Sequence, residues 1–414
     1  MTRSERTYYL VFAGYNLSWA FLGAVYPLFL LSRGLDLFEI NAILAVFLFA
    51  NFAFEVPTGA VADLFGRKVS FLLACAVRAV AFGMYFHADS FGDFVVAEVV
   101  DAIGNTLASG ALDAWAVDGM RDDGDDGPAD RLFSRGKMIS HTAMIASGLA
   151  GGYAAEVDIA YPWLMGVVGF AITGVVAGAI MRETRPAARP AVRGISALAA
   201  LNPLPAIRGQ IRGGLGAVLG NPTLRFLCLL TGLIAFAQMP AMQLWPTHLT
   251  AISSAGTSRM GWVWAAINVA ALAGSGALPW LRRRMSRRTT AVVVTLVRAV
   301  GIALAAVSVG FGKATVGLVA HFAGMGASDP LLGAWMNEHA MREQRATVLS
   351  IQAMAFMFGG SAGLLVVGVV ARAWGAPMAW GVAAVVLFGC AVLAWSADAE
   401  DATTAGADAA VLAP

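Results

Sequence analysis

Long, almost uninterrupted runs of apolar residues alternate with short polar segments along the whole chain. Each run has about 20 residues, and a helix of that length, rising ~1.5 Å per residue, spans the ~30 Å hydrocarbon core of a bilayer. The ~10-residue segments of alternating polarity that are typical of transmembrane β-strands are not seen. We therefore predict an all-α membrane protein. Its twelve predicted spans lie near 8–31, 40–62, 69–87, 94–117, 136–155, 161–181, 224–247, 260–281, 290–311, 314–337, 347–370 and 376–395.

Composition supports a lipid environment. Of the 414 residues, 58% are hydrophobic and 13% are charged, whereas soluble domains carry about 25% charged residues. The net charge of +2 lacks the basic excess that nucleic-acid binding requires, so nucleic acid is excluded as a partner. Cys75, Cys228 and Cys390 lie far apart inside apolar runs, and we expect them to be packing residues. No cofactor and no metal site are predicted.

The distribution of Lys and Arg predicts the orientation, because short cytoplasmic loops hold most of the positive charge. With the amino terminus inside, four of the 28 basic residues lie in external loops, two (Arg78 and Arg298) lie within spans, and the remaining 22 are cytoplasmic. We therefore predict a multi-pass protein of the inner (plasma) membrane with both termini in the cytoplasm.

An internal repeat divides the chain in two. Adding 220 to a residue number in the first half gives its counterpart in the second, so Val77-Arg78-Ala79-Val80 matches Val297-Arg298-Ala299-Val300, and Gly104 matches Gly324. We predict six-helix bundles at 1–181 and 224–395. A cytoplasmic linker at 182–223, with a short interfacial helix near 204–220, joins them, and the tail at 396–414 is expected to be disordered.

The sequence GAVADLFGRK at 59–68 resembles the signature of the major facilitator superfamily between spans two and three. The stretches 55–58 and 109–115 resemble a bacterial branch of drug or metabolite exporters. The resemblance covers roughly 8–395 and implies twelve transmembrane helices in two pseudo-symmetric six-helix bundles that rock about a central site. Proton antiporters of the drug-export type usually carry a Gly-Pro pair in span five, but 148–152 lacks the proline, which leaves the direction of transport open.

The resemblance also implies a gating network of charges at the cytoplasmic side, in which Asp63 lies by the start of span eleven and Asp113 or Asp118 holds the basic pair Arg67 and Lys68. The alternative is solvated charge that only sets the topology. The residues of this motif are Gly59, Asp63, Gly66, Arg67, Lys68, Asp113 and Asp118.

Ionisable residues inside spans are costly, so each needs a partner or a water-filled cavity. Arg78 and Asp101 lie near mid-depth on adjacent antiparallel spans, and they form either a permanent structural pair or a proton or substrate site. In the second half, Arg298 faces His321, which cannot neutralise it. Glu55 precedes Pro57 and is either a coupling carboxylate or part of a kinked helix. Glu98 is expected to tune Asp101 or to line the external vestibule.

The resemblance implies that spans one, four, seven and ten line the cavity, and Asp329-Pro330 is predicted to break span ten. The lining is apolar and aromatic with few fixed charges, which suits an amphipathic organic molecule better than a phosphate or a sugar. The candidate residues are Tyr15, Asn16, Trp19, Tyr26, Asn105, Gln238, Gln243, Trp245, His321 and Asp329.

These observations predict a monomeric secondary transporter that exports a small amphipathic organic compound by proton antiport. Its partners are the small-molecule substrate, protons and the lipid bilayer. Without a G-x-x-x-x-G-K-[ST] phosphate loop, ATP does not drive it directly. Proton-coupled uptake of a nutrient and a transport-inactive membrane scaffold or receptor are the alternatives. No His-Glu-x-x-His or nucleophile elbow is present, so we do not predict an enzyme.

Overall fold

A computed structural model describes residues 1–183 apart from 126 and 128, residue 216, and residues 218–340 and 345–396. Most of the predicted linker, its interfacial helix and the tail lie outside the described residues. Within the described ranges the chain is helical and has no strand, so the all-α prediction is confirmed. The helices are α1 (Arg3–Ala20), α2 (Tyr26–Ser32), α3 (Leu37–Phe65), α4 (Arg67–His87), α5 (Phe91–Ala108), α6 (Ala111–Asp122), α7 (Ala129–Val157), α8 (Tyr161–Ile180), α9 (Pro222–Ala251), α10 (Thr257–Arg284), α11 (Arg287–Val307), α12 (Phe311–His339) and α13 (Arg345–Ser396).

Eight helical stretches of the described chain are long and apolar enough to cross a membrane. They comprise α3, α4, α5 with α6, α8, α9, α10, α11 and α13. The last of these contains Gly375 in a non-helical conformation (φ +82°), and the predicted spans eleven and twelve lie on either side of it. Helices α1, α2, α7 and α12 fall outside this set, because their apolar stretches are shorter or more polar.

Two predicted spans contain breaks that the sequence analysis did not place. Span one is divided between Ala20 and Tyr26, and span four is divided at Ser109-Gly110, where Gly110 has a φ of +69° that favours glycine. Both breaks lie beside the internal cavities described below.

The predicted break at Asp329-Pro330 is absent, because α12 runs through it without interruption. Gly324 and Gly326 bring this helix into close contact with α11 and α10 one turn earlier. Membrane helices tolerate an internal proline where neighbouring helices hold the segment in place. Pro57 likewise lies inside the continuous helix α3.

Buried apolar side chains form two clusters. One is built from α1–α8, and the other from α9–α13 with Ala24, Val25 and Ala155 added from the first half. This packing accompanies the sequence repeat, while the domain boundaries themselves remain predictions. Below, "first half" means α1–α8 and "second half" means α9–α13.

The two halves meet along α3 with α13 and along α7 with α10. We call the side with the α3–α4 turn and the start of α1 the basic side, and the side with Arg33 and Asp89 the opposite side. On the opposite side, Arg372 pairs with Asp36 (Nε to Oδ2, 3.1 Å), and the Ser258 hydroxyl donates to Glu156. The halves are therefore joined on the opposite side.

Candidate functional site

A cavity of about 520 Å³ lies between the two halves. The first half contributes most of its wall from α1, α2, α3, α4, α5 and α8, and α9 and α10 supply the rest. Six of the residues predicted to contact substrate line it, namely Tyr15, Asn16, Trp19, Tyr26, Asn105 and Gln243. The lining is mainly aromatic and apolar, with three charged side chains, Arg78, Glu98 and Asp101.

Trp264 of α10 closes part of the wall where the two halves touch. Its indole Nε1 donates to the Met144 carbonyl of α7 at 3.0 Å, which is a hydrogen bond between the halves. The ring lies against Gly148 of α7 and Gly23 of the span-one break, and a Cβ at either glycine would overlap it. The absence of side chains at these two positions thus forms the notch that Trp264 occupies.

Asn105 connects the central cavity to two smaller ones of about 250 and 280 Å³. The first reaches Ser109, Gly110 and Asp113 along α1 and span four, and the second lies between Glu55 of α3 and the start of α13. The Asn105 side chain donates to Asn51 Oδ1 at 2.7 Å. Since Ser109 and Gly110 are exposed, the three cavities together lead from the centre toward the basic side.

The structure brings Arg78 and Asp101 together in the wall of the cavity. The guanidinium donates from Nε to Oδ1 at 2.8 Å and from Nη2 to Oδ2 at 2.9 Å, and its Nη1 donates to the Tyr15 hydroxyl at 3.0 Å. The Phe170 ring lies 4.8 Å from the guanidinium carbon. A bidentate pair of this kind is among the stronger interactions of an arginine, and both residues are buried.

Glu98 lies one helical turn from Asp101 and has weaker polar contacts than Asp101 has. It is 5% exposed, and the Tyr26 hydroxyl donates to it at 3.3 Å. Tyr26 is also 3.3 Å from the Tyr85 hydroxyl. Glu98 is therefore a wall residue of the central cavity rather than part of an open external vestibule.

The second half holds its equivalent arginine without a carboxylate. Arg298 donates to Gln238 Oε1 at 2.6 Å and to the Ser328 hydroxyl at 2.7 Å, and it is fully buried. His321, the counterpart of Asp101, contacts the Arg298 carbonyl through Nδ1 at 3.1 Å and does not bind the guanidinium. No ion-pair partner lies within 4 Å of Arg298 in the described part of the chain.

Four predicted cavity residues do not line the central cavity. Gln238, Trp245 and His321 are buried within the second half. Asp329 is exposed and accepts a hydrogen bond from Ser328 at 3.3 Å. The sequence places all four on spans seven and ten, but it does not determine which helical face turns toward the first half.

On the basic side, equivalent ion pairs occur in both repeats. Arg67 pairs with Asp118 and also donates to the Ala114 carbonyl, while Arg287 pairs with Glu338 (Nη2 to Oε2, 2.5 Å). Each pair links the helix after the α3–α4 or α10–α11 turn to the end of span four or ten. The structure thus selects Asp118, rather than Asp113, as the partner of Arg67.

The other motif residues have separate contacts. Lys68 donates to the carbonyls of Gly178 (2.8 Å) and Met181 (2.7 Å) at the end of α8, where a cation is favoured by the helix dipole. Asp113 accepts from the Tyr8 hydroxyl at 2.9 Å. Gly66 has a φ of +99° in the α3–α4 turn, and nothing lies within 4 Å of the position that a Cβ would take at Gly59. Residues 341–344, which precede span eleven, lie outside the described residues, and the position of Asp63 by the start of that span stays a prediction.

Sequence reasoning missed the residues that complete the cavity wall. Tyr85, Trp163, Trp264, Met239 and Met242 all line it. Their type is common in packed cores, so composition alone gives no signal. Glu98 was considered in the sequence analysis, and the repeat distinguishes it further, since its counterpart at 318 is Leu and the carboxylate is therefore peculiar to the first half.

The comparisons with known proteins agree with this architecture. The model of the Major Facilitator Superfamily matches residues 8–323. An uncharacterized MFS-type transporter, YxaM of Bacillus subtilis (strain 168), is 26% identical over 153 residues, which cover 37% of this chain and 37% of that relative's length.

Solved structures of low sequence identity share the fold. The nucleoside transporter NupG superposes with a TM-score of 0.77 at 13% identity and covers 94% of this chain and 98% of its own. The human organic anion transporter MFSD10 (TETRAN) gives 0.64 at 18% identity, over 95% and 99% of the two chains. A POT family transporter in complex with 5-aminolevulinic acid gives 0.74 at 12% identity, over 95% of each chain. With the family model matched over most of its length, the chain belongs to the major facilitator superfamily.

Proposed function

We propose that this membrane transporter exports a small amphipathic organic compound in exchange for protons, by alternating access. The cavity between the halves carries the proposal, since it is joined to two smaller cavities on the basic side and the halves touch on the opposite side. Such a geometry suits one end-state of a cycle in which two bundles rock about a central site. The aromatic lining supports an amphipathic substrate.

The orientation proposed from the charge bias makes the basic side cytoplasmic. In that orientation the cavity leads to the cytoplasm, where an exporter takes up its substrate. Single cysteines replacing Asp89 and Ser254 should then react with an impermeant maleimide from outside intact cells, in a background without the native cysteines. Cysteines replacing Asp122 and Arg283 should react only after lysis. External labelling of the second pair would overturn the orientation.

Proton coupling is proposed to involve the Arg78–Asp101 pair. Asp101 is a carboxylate on the cavity wall, and its charge is matched by one arginine. A proton on Asp101 would remove the attraction to Arg78, so protonation can be linked to a rearrangement of α4 against α5. Glu55, which accepts from the Ser109 hydroxyl at 3.3 Å in a neighbouring cavity, is the second coupling candidate.

Transport in proteoliposomes tests the proposed function. The vesicles have an acidic lumen and receive radiolabelled amphipathic probes: cationic tetraphenylphosphonium, neutral chloramphenicol and anionic benzylpenicillin. Molecules inserted with the basic side outward should accumulate at least one probe, and nigericin, which collapses the pH gradient, should abolish accumulation. Accumulation that requires an alkaline lumen would instead indicate proton-coupled uptake. A protein that binds a probe but moves none under either gradient would be a scaffold or receptor.

A further inference from the structure

The charges on the cavity wall do not balance. Among the described residues that line the central cavity, Arg78 is the single base, and it faces two acids, Asp101 and Glu98. Both carboxylate oxygens of Asp101 accept from Arg78, whose remaining Nη1 donates to Tyr15. The guanidinium of Arg78 therefore neutralises Asp101, and Glu98 is a carboxylate without a paired base in this lining.

Among the described residues, the surroundings of Glu98 supply no cation other than Arg78, which is already paired with Asp101. The neighbouring elements present Tyr26 from α2, Tyr85 from α4 and Trp163 from α8, and the described lining adds no Lys or His. The hydrogen bond that Glu98 accepts from Tyr26 is long at 3.3 Å. An ionised carboxylate buried among aromatic rings is costly unless a partner arrives. The missing partner can be the charged end of a ligand.

The aromatic residues beside Glu98 suit an organic cation. Tyr85 and Trp163 stack with ring centroids 4.0 Å apart, and Tyr26 lies 6.1 Å and 5.9 Å from their respective centroids. Aromatic faces attract alkylated or aryl cations through their quadrupoles, and the attraction is stronger away from water. A carboxylate next to such rings provides both the counter-charge and the apolar contact that a cationic amphiphile needs.

A second, independent observation indicates a ligand in the same cavity. Gln243 of α9 is 8% exposed and lines the wall from the second half, and its Nε2 has no hydrogen-bond partner among the described residues. A buried donor without an acceptor costs free energy, so an acceptor on a bound molecule would stabilise it. Gln243 and Glu98 belong to different halves, so a ligand that contacts both would join them.

The two smaller cavities on the basic side also carry an excess of negative charge. Glu55 and Asp113 line the two smaller cavities, and neither lining includes a described Lys or Arg. A cavity wall with an excess of negative charge raises the local concentration of cations.

We propose that the transported compound is an amphipathic organic cation whose charged group binds Glu98 among Tyr26, Tyr85 and Trp163, while Gln243 donates a hydrogen bond to an acceptor elsewhere on the molecule. The proposal rests on the proposed function and names the substrate class of that same cavity.

Three probes of similar shape separate charge from hydrophobicity: cationic tetraphenylphosphonium, neutral triphenylphosphine oxide and anionic tetraphenylborate. Their binding is measured by scintillation proximity or calorimetry on the purified full-length protein in lipid nanodiscs. The wild type should prefer tetraphenylphosphonium. Glu98→Gln should weaken its binding about tenfold or more, because the charge pair is lost, and should remove the preference for tetraphenylphosphonium over triphenylphosphine oxide. Glu98→Asp, which keeps the charge, should retain the preference.

Several results would overturn the proposal. They are wild-type affinity for tetraphenylphosphonium in Glu98→Gln, preferential binding of tetraphenylborate, and no binding of tetraphenylphosphonium to the wild type. A wild-type melting temperature of Glu98→Gln shows that this variant is folded, and Glu98→Asp gives a second comparison if it is not. Gradient-driven movement of only neutral or anionic compounds would contradict the cationic substrate but support the proposed export. Selective cation binding without gradient-driven movement would support the cationic ligand but contradict the proposed export.

Discussion

Arg78 and Arg298 occupy equivalent positions in the two repeats, but their partners differ. Arg78 binds a carboxylate and lines the cavity, whereas Arg298 binds Gln238 and Ser328 inside the second half. In the first half the arginine is therefore paired directly with a carboxylate. In the second half the groups that accept from the arginine are neutral, and the nearby carboxylate of Asp329 contacts the Ser328 hydroxyl rather than the guanidinium. This asymmetry makes the Arg78–Asp101 pair the stronger candidate for coupling.

Replacing Asp101 tests that role at the level of one carboxyl group. Asp101→Asn can still accept from Arg78 but cannot exchange a proton near neutral pH, so it should abolish gradient-driven accumulation while probe binding in nanodiscs persists. Arg78→Gln and the double variant complete the cycle. If the pair is only structural, each single change should lower the free energy of unfolding by about 3–5 kcal/mol, as expected for a broken buried pair. The double change should then restore stability. Gradient-driven transport at the wild-type rate in Asp101→Asn would exclude it as the carrier and leave Glu55.

Two equivalent glycines leave space for the side chains of the two arginines. A Cβ at Gly104 would lie 2.5 Å from Arg78 Cγ, and one at Gly324 would lie 2.6 Å from Arg298 Cγ. Gly104→Ala and Gly324→Ala should each lower the unfolding free energy, by about 1–3 kcal/mol for overpacking, as measured by thermal unfolding in detergent. Gly83→Ala is the matched control in α4, since nothing lies within 4 Å of its Cβ position. Equal melting temperatures for all three variants would contradict the close packing.

Helix contacts between the halves depend on α7 and α10. Gly148 and Gly152 of α7 leave space for Trp264 and for the backbone near Gly261. Because these contacts join the halves on the opposite side, they stabilise the state in which the cavity leads to the basic side.

Gly148→Ala should therefore destabilise that state, since its methyl group would overlap the Trp264 ring. A reporter cysteine replacing Asn16 in the cavity should then react faster with an impermeant maleimide applied from the opposite side. Gly276→Ala, also on an interface helix but with nothing within 4 Å, is the control. An unchanged labelling rate in Gly148→Ala would show that the notch does not hold this side closed.

The ion pairs Arg67–Asp118 and Arg287–Glu338 act between helices at the basic side. Their carboxylates are 32% and 54% exposed, so each pair contributes little to folding, about 0–1 kcal/mol. Arg67→Ala or Arg287→Ala should thus preserve expression and melting temperature but reduce transport, because the pairs stabilise one state of the cycle. Arg283→Ala, a neighbouring exposed base, should leave transport unchanged. Full activity in both pair variants would show that these charges only set the topology and do not act in gating.

Much of this arrangement follows from sequence periodicity and from the repeat. Apolar run lengths predict the helices, and the offset of 220 predicts that Arg78 and Arg298, or Gly104 and Gly324, take equivalent places. Helix rotation is not predictable in the same way, because the runs are apolar on every face. For that reason Gln238, Trp245 and His321 lie on the predicted helices but are buried inside the second half and not on the cavity wall, where we predicted them. The continuous helix through Pro330 depends on packing against α10 and α11, which the local sequence does not contain.

At the scale of the whole molecule, the proposed mechanism requires the two halves to close the cavity alternately on the opposite side and on the basic side. The structure has the halves joined on the opposite side, with the cavities leading to the basic side. A proton-coupled exporter must also reach a state with the reverse arrangement, and protonation of the coupling carboxylate must change the balance between the two.

Double electron–electron resonance measures this exchange directly, with spin labels on cysteines introduced in a background without the native three. One pair, at Val157 and Val309, spans the halves on the opposite side, and the other, at Asp122 and Arg283, spans them on the basic side. Changing the pH across the range of coupling should lengthen one distance and shorten the other in the wild type, and Asp101→Asn should remove this pH dependence. Distances that stay fixed at both sides, at every pH and with a bound probe, would contradict alternating access by proton exchange.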